Sequence, residues 1–391
     1  MKIRSTAAED LGVFVDTVHT AFGRFPETPD ENGGGLWWSA LEIDRGVLAE
    51  IDGRAVGTAT AYSFELTLPG EVVVPAAGIS AVGVLPTHRR RGVLTEMMRF
   101  QLAELRDRGE FLSVLLATEG TIYGRFGYGP ATYTRRMTVQ RSQGAFRTEP
   151  VRGEIEVLKR SEATEVMSGI YDRYRRSQPG ALSRPTRWWQ LGAGMPPVAP
   201  APRYVAVHRD GYAAYSLADR TLTIDEIIAG DDEVFATLAR FALDHDLVTE
   251  VVFRHLPTGH PLRWRLADFN AGQMSGEMDW LWVRLLDVRR ALEARRYLDD
   301  GELVLDVTDP FLGEHGRHLL TIVDGRAACT PTDRAPDLSL DVRDLGSVYL
   351  GGTAPSTLIR AGYIRAHSAK AAEKADALFR AERPPHCLHW F

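Results

Sequence analysis

Residues 80–98 read Ser-Ala-Val-Gly-Val-Leu-Pro-Thr-His-Arg-Arg-Arg-Gly-Val-Leu-Thr-Glu-Met-Met. Ala81-Val82-Gly83-Val84 is a short apolar strand that breaks at Leu85-Pro86-Thr87. Three arginines, Arg89, Arg90 and Arg91, lead to Gly92, and a helix follows. A strand, a basic turn and a helix amino terminus stand in the order an anionic ligand needs. The first backbone N–H groups of a helix lack intrahelical partners, and the helix dipole puts partial positive charge there. A phosphate satisfies both. Gly92 has no Cβ, which lets a ligand approach the backbone closely. The plainer alternative is a solvated basic turn.

Outward from this stretch, 391 residues predict two or three domains. The net charge of −6 leaves no global field for nucleic acid, so the arginines are a local feature. No run approaches the roughly 20 apolar residues of a membrane span. The amino-terminal Met-Lys-Ile-Arg-Ser-Thr lacks a signal peptide's apolar core. Two cysteines, Cys329 and Cys387, exclude a disulfide framework and make a reducing cytoplasm the expected location.

The first region, residues 1–146, reads as one α/β unit. A strand at Lys2–Arg4 precedes a helix with Thr6 and Glu9 at capping-box spacing and Leu11, Phe14, Val15 and Val18 on one side. Residues 45–61 read as a hairpin turning at Asp52-Gly53, and strands continue over 66–74 and 79–84. An amphipathic helix over 95–108 carries Met97, Met98, Leu102 and Leu105 on its apolar side. Phe111–Ala117 has the near-continuous apolar pattern of a buried central strand. Residues 147–282 repeat this order of elements without a second arginine-rich turn. Residues 283–391 alternate strands with two late helices. The chain ends Leu-His-Trp-Phe, an apolar terminus that predicts docking rather than fraying.

The stretch Val82–Leu94 resembles the acyl-CoA signature of the GCN5-related N-acetyltransferases (GNATs), Arg/Gln-x-x-Gly-x-Gly/Ala, with Leu94 in place of the last small residue. That departure, with LPGEVVVPAAGIS, ATEGTIYGRFGYGPAT, HRDGYAAYSL, GRAACTPTD, LGSVYLGG and the terminal Phe391, is similar to the enhanced-intracellular-survival (Eis) branch. The resemblance implies an α/β (α+β) architecture of two tandem GNAT-fold domains, 1–146 and 147–282, the second without a cofactor motif. A sterol-carrier-protein-like domain, 283–391, completes it. It also implies homohexamers, acetyl-CoA as co-substrate, a small-molecule amine as acceptor, and neither a metal nor nucleic-acid or membrane partners.

By the same resemblance, Val82, Gly83 and Val84 meet the pantetheine arm through their backbones. Arg89, Arg90, Arg91, Gly92, Val93, Leu94 and Thr95 form the pyrophosphate turn, and Thr118 and Glu119 lie near the acetyl end. Tyr123 aligns with the general acid and the carboxylate of Phe391 with the general base. Acetyl transfer to an amine needs both, because the amine arrives as ammonium (pKa about 10.4) and a thiolate leaves. Tyr128 on the same loop is the rival acid and His389 the rival base, and packing is the alternative for each. Phe22, Arg24, Trp37, Trp38 and Trp390 are the candidate acceptor-site residues. The acceptor classes are an aminoglycoside-like, polyamine or lysine-type amine; Arg24 and Trp390 stand where acids suit polycations, which leaves a less charged, more aromatic or smaller amine open beside the polycationic antibiotics, for which Glu27, Asp30 and Glu31 are the compensating acids. The groups His315/His318 and His386/Cys387/His389 have spacings a metal uses but form no four-ligand set, and they read as surface or packing residues. The competing reading is a lipid- or small-molecule-binding protein with a vestigial transferase site.

Overall fold

The computed structural model describes residues 1–23, 40–151, 153–191, 194 and 203–391. Strand β1 (Lys2–Ser5) leads into helix α1 (Leu11–Ala21). The expected Thr6/Glu9 capping box does not form. The Asp10 carboxylate accepts the Ala7 N–H at 2.9 Å, and the Thr6 hydroxyl donates to the Ile43 carbonyl. Strands β2 (Val47–Ile51) and β3 (Arg54–Leu68) meet at Asp52 and Gly53, whose φ angles of 51° and 76° are the two positive values of a type I′ turn. β3 then reverses at residues 69–71 into β4 (Val72–Val84), with Gly70 and Glu71 at φ 78° and 60°. The stretch 66–74, read as one strand, is therefore a second hairpin turning on Pro69-Gly70.

Helix α2 (Val93–Asp107) crosses to β5 (Leu112–Leu116), which lies parallel to β4. The short helix α3 (Gly120–Tyr123), β6 (Gly129–Pro130) and β7 (Tyr133–Gln140) follow. Next come β8 (Glu156–Lys159), α4 (Thr164–Arg175), α5 (Thr186–Gln190) and the strands β9 (Arg203–His208), β10 (Gly211–Ala218) and β11 (Thr221–Ala229). Helix α6 (Asp232–Leu243), β12 (Glu250–Pro257), α7 (Leu262–Arg265), β13 (Gln273–Asp279) and β14 (Leu281–Leu285) complete the central stretch. The last third contains α8 (Val288–Ala294), strands β15 (Gly301–Asp309), β16 (Glu314–Val323), β17 (Arg326–Pro331) and β18 (Leu338–Asp341), helices α9 (Val342–Tyr349) and α10 (Pro355–Arg360), β19 (Arg365–Ala366) and α11 (Ala369–Phe379).

The chain divides into two units, one of residues 1–131, 281–380 and 391, the other of residues 132–280 and 381–390. In the first, the sheet runs β1-β2-β3-β4-β5-β14-β6, and the last third adds a sheet β17-β16-β15-β18-β19. In the second, the order is β13-β7-β12-β11-β10-β9-β8. The partition differs from the 146/147 and 282/283 boundaries expected from sequence. β7 precedes the expected boundary yet pairs with β12, and β14 sits beside β5. The physical reason is edge completion. Leu112, Ser113, Val114 and Leu115 of β5 are buried, so this strand needs a partner on each side, and β14 supplies the one the preceding sequence does not.

In the first unit, the last third packs on the first sheet through close backbone approach. A Cβ on Gly129 would meet the Arg343 carbonyl at 2.0 Å, and one on Gly346 would meet the Val283 carbonyl at 2.2 Å. Arg284 of β14, with no exposed surface, donates to the Phe126 carbonyl and pairs with Asp309. Gly127, at φ 80°, leaves the room that guanidinium occupies. The Gly-rich run 124–129 is thus explained by docking of α9 and seating of Arg284.

Candidate active site

The site is built on an irregularity in β4. Thr60 pairs with Ser80 but Thr58 with Gly83, so β4 carries one residue more than β3 at this point. Ala81 adopts φ 50°, and the Thr58 hydroxyl donates to its carbonyl at 2.9 Å, which pins the bulge. β4 pairs with β5 only at Ala77–Ser113, Gly78–Val114 and Ile79–Leu115. From Ser80 to Val84 it runs beside β3 alone, and Val82 and Val84 lie on this unaccompanied stretch.

The basic turn leads to α2. Arg90 and Gly92 adopt left-handed backbone (φ 59° and 79°), which turns successive amides inward. Gly92 is the helix cap and has no side chain to satisfy the first-turn N–H groups, so those of Val93, Leu94 and Thr95 remain available to a ligand. The conformation demands glycine here, because a Cβ would meet no atom within 4 Å. The arginines divide the labour. All three are exposed, but Arg89 donates to the carbonyls of Val84 (3.3 Å) and Ala21 (2.8 Å) and braces the turn.

Thr118 and Glu119 are exposed just past β5, and Glu119 caps α3 in extended conformation. Tyr123 ends α3 with its ring in a cluster that includes Ala77, Ile79, Met98, Leu115 and Trp282. Burial, with Glu119 adding to it, pushes the Tyr123 phenol up to about 12. Its hydroxyl makes no hydrogen bond to a described residue. Tyr128 lies deeper, fully buried, its hydroxyl 2.7 Å from that of Ser113. Burial raises this phenol too, and its hydrogen-bonding capacity is already engaged inside the core.

Phe391 is 8% exposed. Its ring meets Phe64 edge-on at 4.9 Å and Tyr62 at 6.5 Å, and a Cβ on Gly78 would come within 3.0 Å of it. Ala77 and Ile79, on either side of Gly78, face Tyr123 instead. By strand alternation Tyr123 and Phe391 therefore flank β4 from opposite faces, next to the point where β4 and β5 part.

Residues 2–131 match an acetyltransferase (GNAT) domain, residues 180–289 a second acetyltransferase (GNAT) domain and residues 288–388 a sterol carrier protein domain. The N-acetyltransferase Eis of Mycobacterium tuberculosis (strain ATCC 25177 / H37Ra) is 36% identical over 89% of this chain and 90% of its own length. An uncharacterized N-acetyltransferase of Streptomyces avermitilis is 33% identical over 100% and 98%. The crystal structure of Eis1 from Mycobacterium abscessus superposes with a TM-score of 0.89 at 34% identity, covering 100% of both chains. The chain belongs to the Eis-like GNAT acetyltransferases. It is an acetyltransferase of a family that uses acetyl-CoA.

The second GNAT-type half of this Eis-like protein repeats the β4–α2–β5 arrangement as β11–α6–β12. β11 is parallel to β12 and carries its own one-residue bulge at Asp225. Its helix end is filled by protein. The Asp231 carboxylate accepts the N–H groups of Glu233 (2.9 Å) and Val234 (2.8 Å), and Asp232 and Glu233 add two more acids to the first turn. An acid-capped helix end repels a phosphate, which is the physical counterpart of the missing motif.

Phe22, at the end of α1, is 56% exposed, and Trp390 is 39% exposed with its ring 5.8 Å from Trp280. Arg24, Trp37 and Trp38 lie outside the described residues. His389 is fully buried in the second unit, its Nδ1 accepting from Arg184 Nε at 3.3 Å. Burial and Arg184 hold it well below the ordinary histidine range, so it is a poorer base than the sequence alone suggests. Among the described residues no cluster of three or more His, Cys, Asp or Glu is arranged to hold a metal, and no helix is long and apolar enough to cross a membrane. Sequence reasoning missed Gly78, Tyr62 and Phe64, which seat Phe391. Their signal was the alternation of β3, whose Tyr62 and Phe64 share a face.

Proposed function

We propose that the protein transfers the acetyl group of acetyl-CoA directly to a primary amine of a small molecule, with Tyr123 as general acid and the terminal carboxylate of Phe391 as general base. The observation that carries this reading is the pairing of an uncapped α2 amino terminus with a buried phenol and the buried last residue on opposite faces of β4. The backbones of Val82, Gly83 and Val84 would hold the pantetheine arm, the amides of residues 90–95 the pyrophosphate, with Arg90 and Arg91 adding charge. Thr118 and Glu119 would border the acetyl end.

Bound acetyl-CoA supplies an activated thioester. The Phe391 carboxylate takes a proton from the arriving ammonium and frees the nitrogen lone pair. Tyr123 faces the sulfur that leaves. A phenol held near 12 stays protonated at neutral pH; it hydrogen-bonds the departing thiolate as the C–S bond breaks, and passes to the sulfur the second proton that the nitrogen sheds on becoming an amide, so that it ends protonated again. By the family resemblance Phe22, Arg24 and Trp390 are acceptor-site residues, and an arginine and a tryptophan where acids suit polycations favour an amine of low charge over a polycationic aminoglycoside.

Thiol release from acetyl-CoA, measured across aminoglycosides, polyamines, lysine peptides and arylamines, tests this reading. Turnover with at least one primary amine is expected. Tyr123→Phe should lower kcat about 10²-fold while leaving the KM for acetyl-CoA unchanged. Bound CoA without thiol release for any amine would instead favour the small-molecule-binding reading.

A further inference from the structure

Tyr62, Phe64 and Phe391 are three buried rings in the first unit, and only the carboxylate of the last takes part in the chemistry above. Tyr62 and Phe64 alternate onto one face of β3. Tyr62 pairs with Gly78 of β4, and Phe64 with Ala76. The Phe64 ring leans diagonally over Gly78. A Cβ at position 78 would come within 2.5 Å of Phe64 Cδ2 and 3.0 Å of Phe391 Cε2. The two phenylalanine rings therefore share the space that a side chain at position 78 would take.

The rings meet at angles that hold direction as well as place. Phe64 lies 4.9 Å from Phe391 at an interplanar angle of 65°, and Tyr62 lies 6.5 Å from it at 89°. Tyr62 and Phe64 are themselves 5.7 Å apart and tilted by 39°. Aromatic quadrupoles favour such offset and edge-on arrangements, so the third ring has a preferred orientation. Orientation matters for this residue in particular. A side chain inside a chain hangs from backbone held on both sides, whereas a last residue is held on one side only. Two torsions, about Cβ–Cγ and Cα–Cβ, separate the plane of the ring from the carboxylate carbon. A seated ring leaves that carboxylate few positions, and a loose ring leaves it many.

We propose that Phe64 is a positioning residue for catalysis: lying over Gly78, it fixes the ring of Phe391 and through it the carboxylate that takes the amine's proton. The proposal rests on the reading of that carboxylate as the base. The missing side chain at position 78 makes the room, and the ring at position 64 fills enough of it to leave one seat. Gly78 also ties the seat to the opposite face of the strand, where its neighbours Ala77 and Ile79 pack with Tyr123. Misplacement of a reacting group by about 1 Å costs on the order of 10²-fold in rate.

The test is a double-variant cycle on kcat in the full chain, with folding read by the urea midpoint. Phe391→Ala keeps a terminal carboxylate and removes its ring. Phe64→Leu keeps apolar bulk in the seat and removes the edge-on contact. Each should lose about 10²-fold in kcat with the KM for acetyl-CoA unchanged. Because Phe64 acts through the Phe391 ring, Phe64→Leu/Phe391→Ala should be no slower than Phe391→Ala alone, whereas a general loosening of the core would multiply the two losses. Wild-type kcat in folded Phe64→Leu, or losses that multiply, overturns the positioning role. If Phe64→Leu does not fold, Phe391→Ala decides: a loss of about 10²-fold upholds the seated ring, and wild-type kcat overturns it. Adding one glycine after Phe391, which keeps the ring and displaces the carboxylate, separates the two ideas. If that extension abolishes turnover while Phe64→Leu keeps it, the base stands and the positioning fails; if the extended chain turns over normally, the base assignment itself fails.

Discussion

Lowering the pH from 8 to 5 should destabilise the second unit through four histidines, His255, His260, His386 and His389, each held below the ordinary range by burial. His386, 4% exposed, has its Nδ1 buried without a hydrogen-bond partner, and His255 on β12, 8% exposed, has its Nε2 in the same state. Burial holds each down to about 3, with His260 acting on His386, and Arg254, His386 and Arg136 acting on His255. In the unfolded chain each titrates near 6.5. Above that value neither state binds the proton and stability is fully present. Below it the unfolded chain takes up protons that the folded one refuses, so stability falls with pH until about 3. At pH 5, about 1.5 units below the unfolded value, each histidine forfeits about 2 kcal/mol. Asp225, whose carboxyl is raised by burial, works in the opposite sense, but only once the pH reaches the carboxylate range. Urea unfolding followed by tryptophan fluorescence suits the measurement, since the Trp280 ring lies 5.0 Å from that of His255. His255→Phe should remove about a quarter of the pH dependence, since His260, His386 and His389 contribute alongside it. A urea midpoint that does not move between pH 8 and pH 5 refutes the reasoning.

Other consequences are as direct. Gly92→Ala has open space for its Cβ but must hold φ 79°, so it should lower stability by about 1 kcal/mol in a chemical melt and raise the KM for acetyl-CoA. Replacing Arg90 and Arg91 together by Ala should raise that KM and weaken its salt dependence with the melting temperature unchanged, whereas Arg89→Ala, which loses the bonds to Val84 and Ala21, should lower the melting temperature. Arg284→Met strands the Asp309 charge and should cost about 3–5 kcal/mol, most of it recovered by adding Asp309→Asn, whose Oδ1 still accepts the Phe311 and Leu312 N–H groups.

Local features were legible in the sequence. The strand, arginine turn and helix of residues 81–107 involve neighbours along the chain, so residue type and order suffice to read them. The same holds for the Asp52-Gly53 turn, and the apolar Leu-His-Trp-Phe end announced a docked terminus. What stayed hidden depends on distant partners. Nothing within β14 says that it completes the sheet beside β5, because an apolar strand fits either free edge. Gly127 and Gly129 make room for Arg284 and for α9, which lie more than 150 residues away in sequence, so nothing local explains them. Tyr123 and Tyr128 share one loop, and only depth of burial and Ser113 tell them apart. Arg89 matched the signature as a cofactor residue, but its side chain is spent on two carbonyls.

The central claim is that the last carboxylate of the chain takes the amine's proton. A chain lengthened by a single glycine after Phe391 tests it most directly, with kcat read by thiol release and folding by the urea midpoint. The prediction is a fall in kcat of about 10²-fold or more, with the KM for acetyl-CoA and the midpoint preserved. A lengthened chain that folds and turns over at the wild-type rate would contradict it.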